Sequence, residues 1–116
     1  MKINSFKDLI VWQKSIILVK EIYRLTGELS KKELFCLSDQ MRRAAISIPS
    51  NIAEGYRRKG KQEFLQFLSI ANGSAAELET QIIIVNEIYD KIDTKEAINT
   101  LTEVQKMLCS LIFKIK

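Results

Sequence analysis

RRAAISIPSNIAEGYRRKGK, Arg42 to Lys61, holds the chain's only proline, six cationic side chains and one carboxylate, Glu54. Its apolar residues Ala44, Ala45, Ile48 and Ile52 fall three and four apart, the repeat of an α-helix. Pro49 sits inside that pattern, where it deletes one amide donor and crowds the carbonyl of Ala45, at a cost of about 3 kcal/mol in a regular helix. A helix kinked at Pro49 is expected. Ala44 and Ala45 leave room for the bend, and Ser47, Ser50 and Asn51 can bond the backbone groups it frees. Gly60 then breaks the helix.

The same period runs through the rest of the chain. Ser5 and Asp8 resemble a capping box, followed by a stripe of Leu9, Trp12, Ile16, Val19 and Tyr23 that ends near Gly27. Val11, Leu18, Ile22 and Leu25 form a second stripe, so this helix is apolar over an arc wide enough to meet more than one neighbour. Ser30 and Glu33 spell a stronger capping box, which places the start of the second helix at Ser30 and carries it through Leu34, Leu37 and Met41 into the quoted stretch. A third helix begins near Lys61, with Phe64, Leu68, Ala71, Ala75, Leu78 and Ile82 at helical spacing. At roughly thirty residues it would measure ~45 Å. Asp93 and Thr94 cap a fourth helix bearing Ala97, Leu101, Val104 and Leu108, with Lys114 and Lys116 complementing its carboxyl-terminal dipole. Short connections make consecutive helices antiparallel neighbours. The fold class expected is therefore an all-α, up-down-up-down four-helix bundle, with residues 1–116 forming one domain.

Composition narrows the chemistry. The chain has no histidine, so the commonest general base and the commonest transition-metal ligand are both missing. Cys36 and Cys109 are far apart and each lies among apolar neighbours, which suits buried free thiols better than a disulfide or a metal pair. No cofactor and no metal is expected. No apolar run approaches the ~18 residues of a membrane span, the longest candidate being Ile82 to Val85. MKINSFKDLIVWQK lacks a small-residue cleavage site, so a cytoplasmic chain is expected, without membrane partners. The formal net charge of +4 favours anionic partners.

In steps of three and four, the second helix also carries a polar stripe of Gln40, Arg43, Ser47, Asn51, Glu54 and Arg58. A turn centred near Gly60 sets Arg43 opposite Glu77 and Ser47 opposite Gly73. An arginine-carboxylate pair flanked by small residues suits a partly buried structural layer better than a ligand site. Gly73 sits mid-helix at a cost of ~1 kcal/mol relative to alanine, which the close approach of the second helix would explain.

The candidate for anion contact is Arg57, Arg58, Lys59 and Lys61, where a helix end, a glycine and a following helix start bring amides and cations together. Tyr56 beside it could stack on a base. The bland alternative is a solvated turn that keeps the protein soluble. Trp12 reads as a core or subunit-interface anchor rather than a base platform, and the run from Ile82 to Val85 likewise points to buried subunit contact.

FKDLIVWQKS (Phe6–Ser15), QMRRAAISIPSNIAEGYRR (Gln40–Arg58) and EFLQFLSIANGSAAELETQ (Glu63–Gln81) together resemble the four-helix bundle family encoded in bacterial 23S rRNA intervening sequences. The likeness extends in order and spacing from Phe6 to about Tyr89. Two positions depart from the family pattern: Glu28-Leu29-Ser30 lacks a phenylalanine-proline pair, and the third helix ends without a glycine. The resemblance implies a cytoplasmic bacterial bundle that assembles as a homopentamer and has no known catalysis. The family is also similar to the accessory variability proteins of diversity-generating retroelements, basic pentameric barrels that bind RNA and a reverse transcriptase. Two functions follow as expectations: a non-enzymatic oligomeric protein associated with RNA or DNA through Arg57, Arg58, Lys59 and Lys61, or a scaffold ring that binds a protein partner and no nucleic acid.

Overall fold

Four long helices dominate the computed structural model, which describes residues 3–116, the side chain of Leu34 excepted. They are α1 (Ile10–Gly27), α2 (Asp39–Arg57), α3 (Lys61–Ile88) and α4 (Lys95–Ile115). Each packs on two neighbours, α1 on α2 and α4, and α3 on α2 and α4, so the helices form the square cross-section of a four-helix bundle. Side-chain pairs fix the antiparallel directions. Lys14 reaches Glu103 at 3.4 Å and Arg24 reaches Glu96 at 2.7 Å, so advancing along α1 means retreating along α4. These exposed pairs add little stability, but they mark the register. The molecule measures 43 × 24 × 21 Å, and α3 spans nearly the whole length.

The core is built from the stripes the period marks. Leu18 and Ile22 of α1, Ile48 and Ile52 of α2, Leu78 and Ile82 of α3, and Leu101 and Leu108 of α4 are almost wholly buried. Each such side chain stabilises the fold by roughly 1.5–3 kcal/mol relative to exposure. The helices α2 and α3 make the most extensive contact, because Ala44 and Ala45 on one and Ala71 and Ala75 on the other let the backbones come close. Pro49 is buried within an α2 that runs unbroken on both sides of it. Asn51 Nδ2 donates to the Ser47 carbonyl at 2.8 Å and to the Ser47 hydroxyl at 2.9 Å.

Helix starts differ from expectation in an instructive way. Ser5 does cap, accepting from the Lys7 amide at 3.0 Å, and Asp8 accepts from the Asn4 amide, but together they close a 3-10 turn at Phe6–Asp8 ahead of α1. The capping box expected at Ser30 does not start an α-helix. Residues Lys31–Glu33 form a 3-10 turn and Leu34–Ser38 a π-helical turn before α2 begins at Asp39. The reason lies in Glu33, whose carboxylate accepts a hydrogen bond from the Tyr89 hydroxyl instead of reaching back to cap Ser30. The core role expected of the Leu34 side chain lies outside the described residues. At the other end, Asp93 Oδ1 accepts from the Lys95 amide at 3.0 Å, while the Thr94 hydroxyl donates to Asn86 Oδ1 at 2.8 Å, tying the α3–α4 turn to α3.

The two cysteines are free, as expected, but both are exposed rather than buried. Cys36 rides on the π-helical turn and Cys109 on the outer face of α4, so apolar sequence neighbours do not bury them.

Candidate nucleic-acid interface

The cationic cluster lies where α2 ends and α3 begins. Arg58 leaves the helix in an extended conformation, and Gly60 precedes α3 with its carbonyl accepting from the Phe64 amide at 3.0 Å. The turn is held from below by a close approach of α2 to α3 at Gly55. A Cβ placed on Gly55 would lie 2.7 Å from Phe67 Cβ and 3.0 Å from Phe64 Cδ1. Tyr56 meets Phe64 edge-on, with ring centroids 6.2 Å apart, so its ring serves α2–α3 packing and is half-buried there.

The four cations are not equivalent. Arg58 is engaged: it bonds Glu54 at 2.9 Å, lies 3.6 Å from Glu63, and stacks over the Phe67 ring at 5.2 Å. The hydrogen bond to Glu54 holds its guanidinium pKa above the ordinary arginine value. Arg57 lies over the Phe6 ring at 5.5 Å, and among the described residues no carboxylate pairs with it. Lys59 is exposed and unpaired among the described residues, and Lys61 donates to the main-chain oxygen of Lys116 at 3.4 Å. Arg57, Lys59 and Lys61 are thus the side chains that can meet an external anion without losing an internal carboxylate.

The polar stripe on α2 does not form the buried layer the spacing suggests. Arg43 pairs with Asp39, one turn back on its own helix, at 3.0 Å, and its side chain is 79% exposed. Glu77 and Gln40 are exposed. The Arg43–Glu77 pair is absent because the local carboxylate is reached without crossing between helices. What remains of the layer is Ser47, Asn51 and Ser74: the Ser47 and Ser74 hydroxyls are 2.8 Å apart, which places the Ser47 partner one residue beyond Gly73. Gly73 itself faces open space, with nothing within 4 Å of a built Cβ. The glycine that the α2–α3 approach requires is Gly55.

One residue of this region escaped the sequence reading. Phe6 stands between Arg57 and Trp12, meeting the indole edge-on at 5.4 Å. The 3-10 turn capped by Ser5 holds it there, and only the approach of α1 to α2 puts it beneath an arginine fifty residues away in sequence. The apolar run at the end of α3 divides. Ile82 and Val85 enter the core, whereas Ile83 and Ile84 stay exposed at 52% and 39%.

Among the described residues there is no cluster of potential metal ligands, and no helix is long and apolar enough to cross a membrane. These features define the class: a small antiparallel helical bundle with a cationic turn at one end and exposed isoleucines on its sides. The chain belongs to the 23S rRNA-intervening sequence protein family, whose profile matches residues 7–110. A crystal structure of a protein of unknown function from the S23 ribosomal protein family, from Bacteroides thetaiotaomicron, is similar to it. That relative aligns with a TM-score of 0.78 and 28% identity, over 89% of this chain and 95% of the other. None of the curated proteins matches the chain.

Proposed function

We propose that the protein is a non-enzymatic, oligomeric RNA-associated bundle that contacts phosphates through Arg57, Lys59 and Lys61. The observation that carries this reading is the asymmetry at the α2–α3 turn: Arg58 is held by Glu54 and Glu63, while among the described residues no side-chain carboxylate pairs with Arg57, Lys59 or Lys61. Assembly is supported by exposed isoleucines at Ile10 and Ile17 on α1 and at Ile83, Ile84 and Ile88 on α3, side chains that a subunit contact would withdraw from water. A ring of five copies would repeat the cationic turn and strengthen weak phosphate contacts through avidity. The same reading has the protein at work in the cytoplasm.

The test is fluorescence anisotropy with labelled RNA and DNA across a salt series, using wild type and an Arg57→Glu, Lys59→Glu, Lys61→Glu variant. Arg58 is left in place because its reversal would break the Glu54 pair. The expected result is binding whose logarithm falls with log salt by about 0.7 per neutralised phosphate on a single strand, and its loss in the variant. No binding by wild type at low salt would sink the proposal. Light scattering on a sizing column tests the oligomer, and a monomer at micromolar concentration would remove the avidity argument.

A second reading, a protein-binding scaffold without nucleic-acid affinity, is favoured by the opposite end of α2. There Phe35 is 91% exposed on the π-helical turn, beside the exposed Cys36.

A further inference from the structure

A cleft between α1 and α2 joins the cationic turn to an aromatic slot. Its outer part, about 420 Å³, is bounded by Phe6, Ala53, Glu54, Arg57 and Arg58. A second shallow depression of about 330 Å³ adjoins it, sharing Phe6 and Ala53 and lined further by Trp12, Ile46, Pro49 and Ser50. An apolar depression thus lies beside one that carries Arg57, which covers the Phe6 ring, while Phe6 meets Trp12 edge-on.

We propose that this cleft seats an unstacked base of single-stranded RNA, with the adjoining phosphate at Arg57. The inference rests on the RNA reading above and adds to it the form of RNA recognised. Proteins that bind single strands combine cations tracking the backbone with aromatic side chains for bases, and here Arg57, Phe6 and Trp12 line adjoining depressions. The carboxylate at the mouth does not repel a phosphate strongly, because Glu54 is held by Arg58 at 2.9 Å. A duplex keeps its bases stacked and has nothing to insert. A second copy of the chain is the competing occupant, because interface centres also take aromatic and arginine side chains; only Glu54 at the mouth is a charge they tend to exclude.

Trp12 is the chain's only tryptophan, so its emission reports on the slot directly. The experiment titrates wild type with a single-stranded RNA of about 12 nucleotides, its blunt duplex, and heparin, following tryptophan emission and anisotropy together. The expected result is quenching by the single strand in step with binding, and none by the duplex or heparin. Phe6→Leu should weaken the single strand roughly tenfold and leave the duplex unchanged. Ala53→Met, which fills the cleft while keeping both Phe6 and Trp12, should do the same and guards against a folding defect in the first variant. Single-strand binding with unchanged Trp12 emission and unaffected variants would overturn the base slot and leave the phosphate reading standing. Failure of all three polyanions to bind at low salt would overturn both. Trp12 emission that shifts on dilution without RNA would overturn the slot in favour of a second copy covering the cleft.

Discussion

Replacing Gly55 by alanine adds a single methyl group where α2 lies tight against α3. That carbon would meet Phe67 Cβ at 2.7 Å, Phe64 Cδ1 at 3.0 Å and the Phe64 carbonyl oxygen at 3.4 Å. The Phe64 ring can swing aside, but a Cβ is fixed to its backbone, so Phe67 can retreat only if α3 moves away from α2. Overpacking of this kind costs about 1–3 kcal/mol, and the helix-propensity gain of alanine over glycine returns at most ~1 kcal/mol near a helix end. The expected net loss is about 1–2 kcal/mol. Gly73 is the internal control: nothing lies within 4 Å of its added methyl, so Gly73→Ala should gain about 0.5–1 kcal/mol from propensity alone. Urea unfolding followed by circular dichroism at one fixed protein concentration measures both, read from midpoints at unchanged m-values. A Gly55→Ala protein as stable as wild type would refute the claim that the α2–α3 separation is set by this glycine.

The side chain of Gln81 is 5% exposed and its Oε1 is buried without a hydrogen-bond partner, so Gln81→Met should raise the urea midpoint by an amount equivalent to about 1 kcal/mol; a lower midpoint would mean the amide is satisfied. Hydrogen bonding to the Glu33 carboxylate, reinforced by partial burial, raises the pKa of Tyr89. A raised phenol pKa stabilises the fold below the unfolded value near 10, and this contribution disappears as pH climbs through the folded value. Wild type should therefore lose stability above about pH 10 more steeply than Tyr89→Phe, and superimposable alkaline melting profiles would remove the linkage. Both thiols should react with a disulfide reagent in the native protein without denaturant, as Cys36 and Cys109 are exposed; protection of either would show that it is covered.

Much of the fold was legible because period alone carries it. The stripes of α1 and α4 mark their buried faces, and Gly60 falls in the break between α2 and α3, though in an extended conformation open to any residue. The site was only partly legible. Gly55 and Gly73 look alike in sequence, each a glycine within a helical pattern, and only the neighbour across the gap tells them apart. Arg43 had two candidate partners, and the carboxylate one turn away on the same helix prevailed over the one across the bundle. The engagement of Arg58 by Glu54 could be read from their spacing, whereas the contact of Arg57 with Phe6 depends on how α1 leans on α2. Glu33 has capping-box spacing, yet a tyrosine from the far end of α3 claimed its carboxylate.

The same tight α2–α3 contact has a kinetic side. Only Arg58–Gly60 separates the two helices, so closing this hairpin sacrifices little chain entropy, whereas bringing α1 against α4 must gather nearly the whole chain. Folding should therefore nucleate at α2 and α3 and finish by docking the outer helices. The methyl group at position 55 would then slow the folding limb of a chevron plot, and substitutions on α1 or α4 would chiefly hasten unfolding. The segment that carries the proposed RNA contacts would be the first part of the chain to acquire its shape.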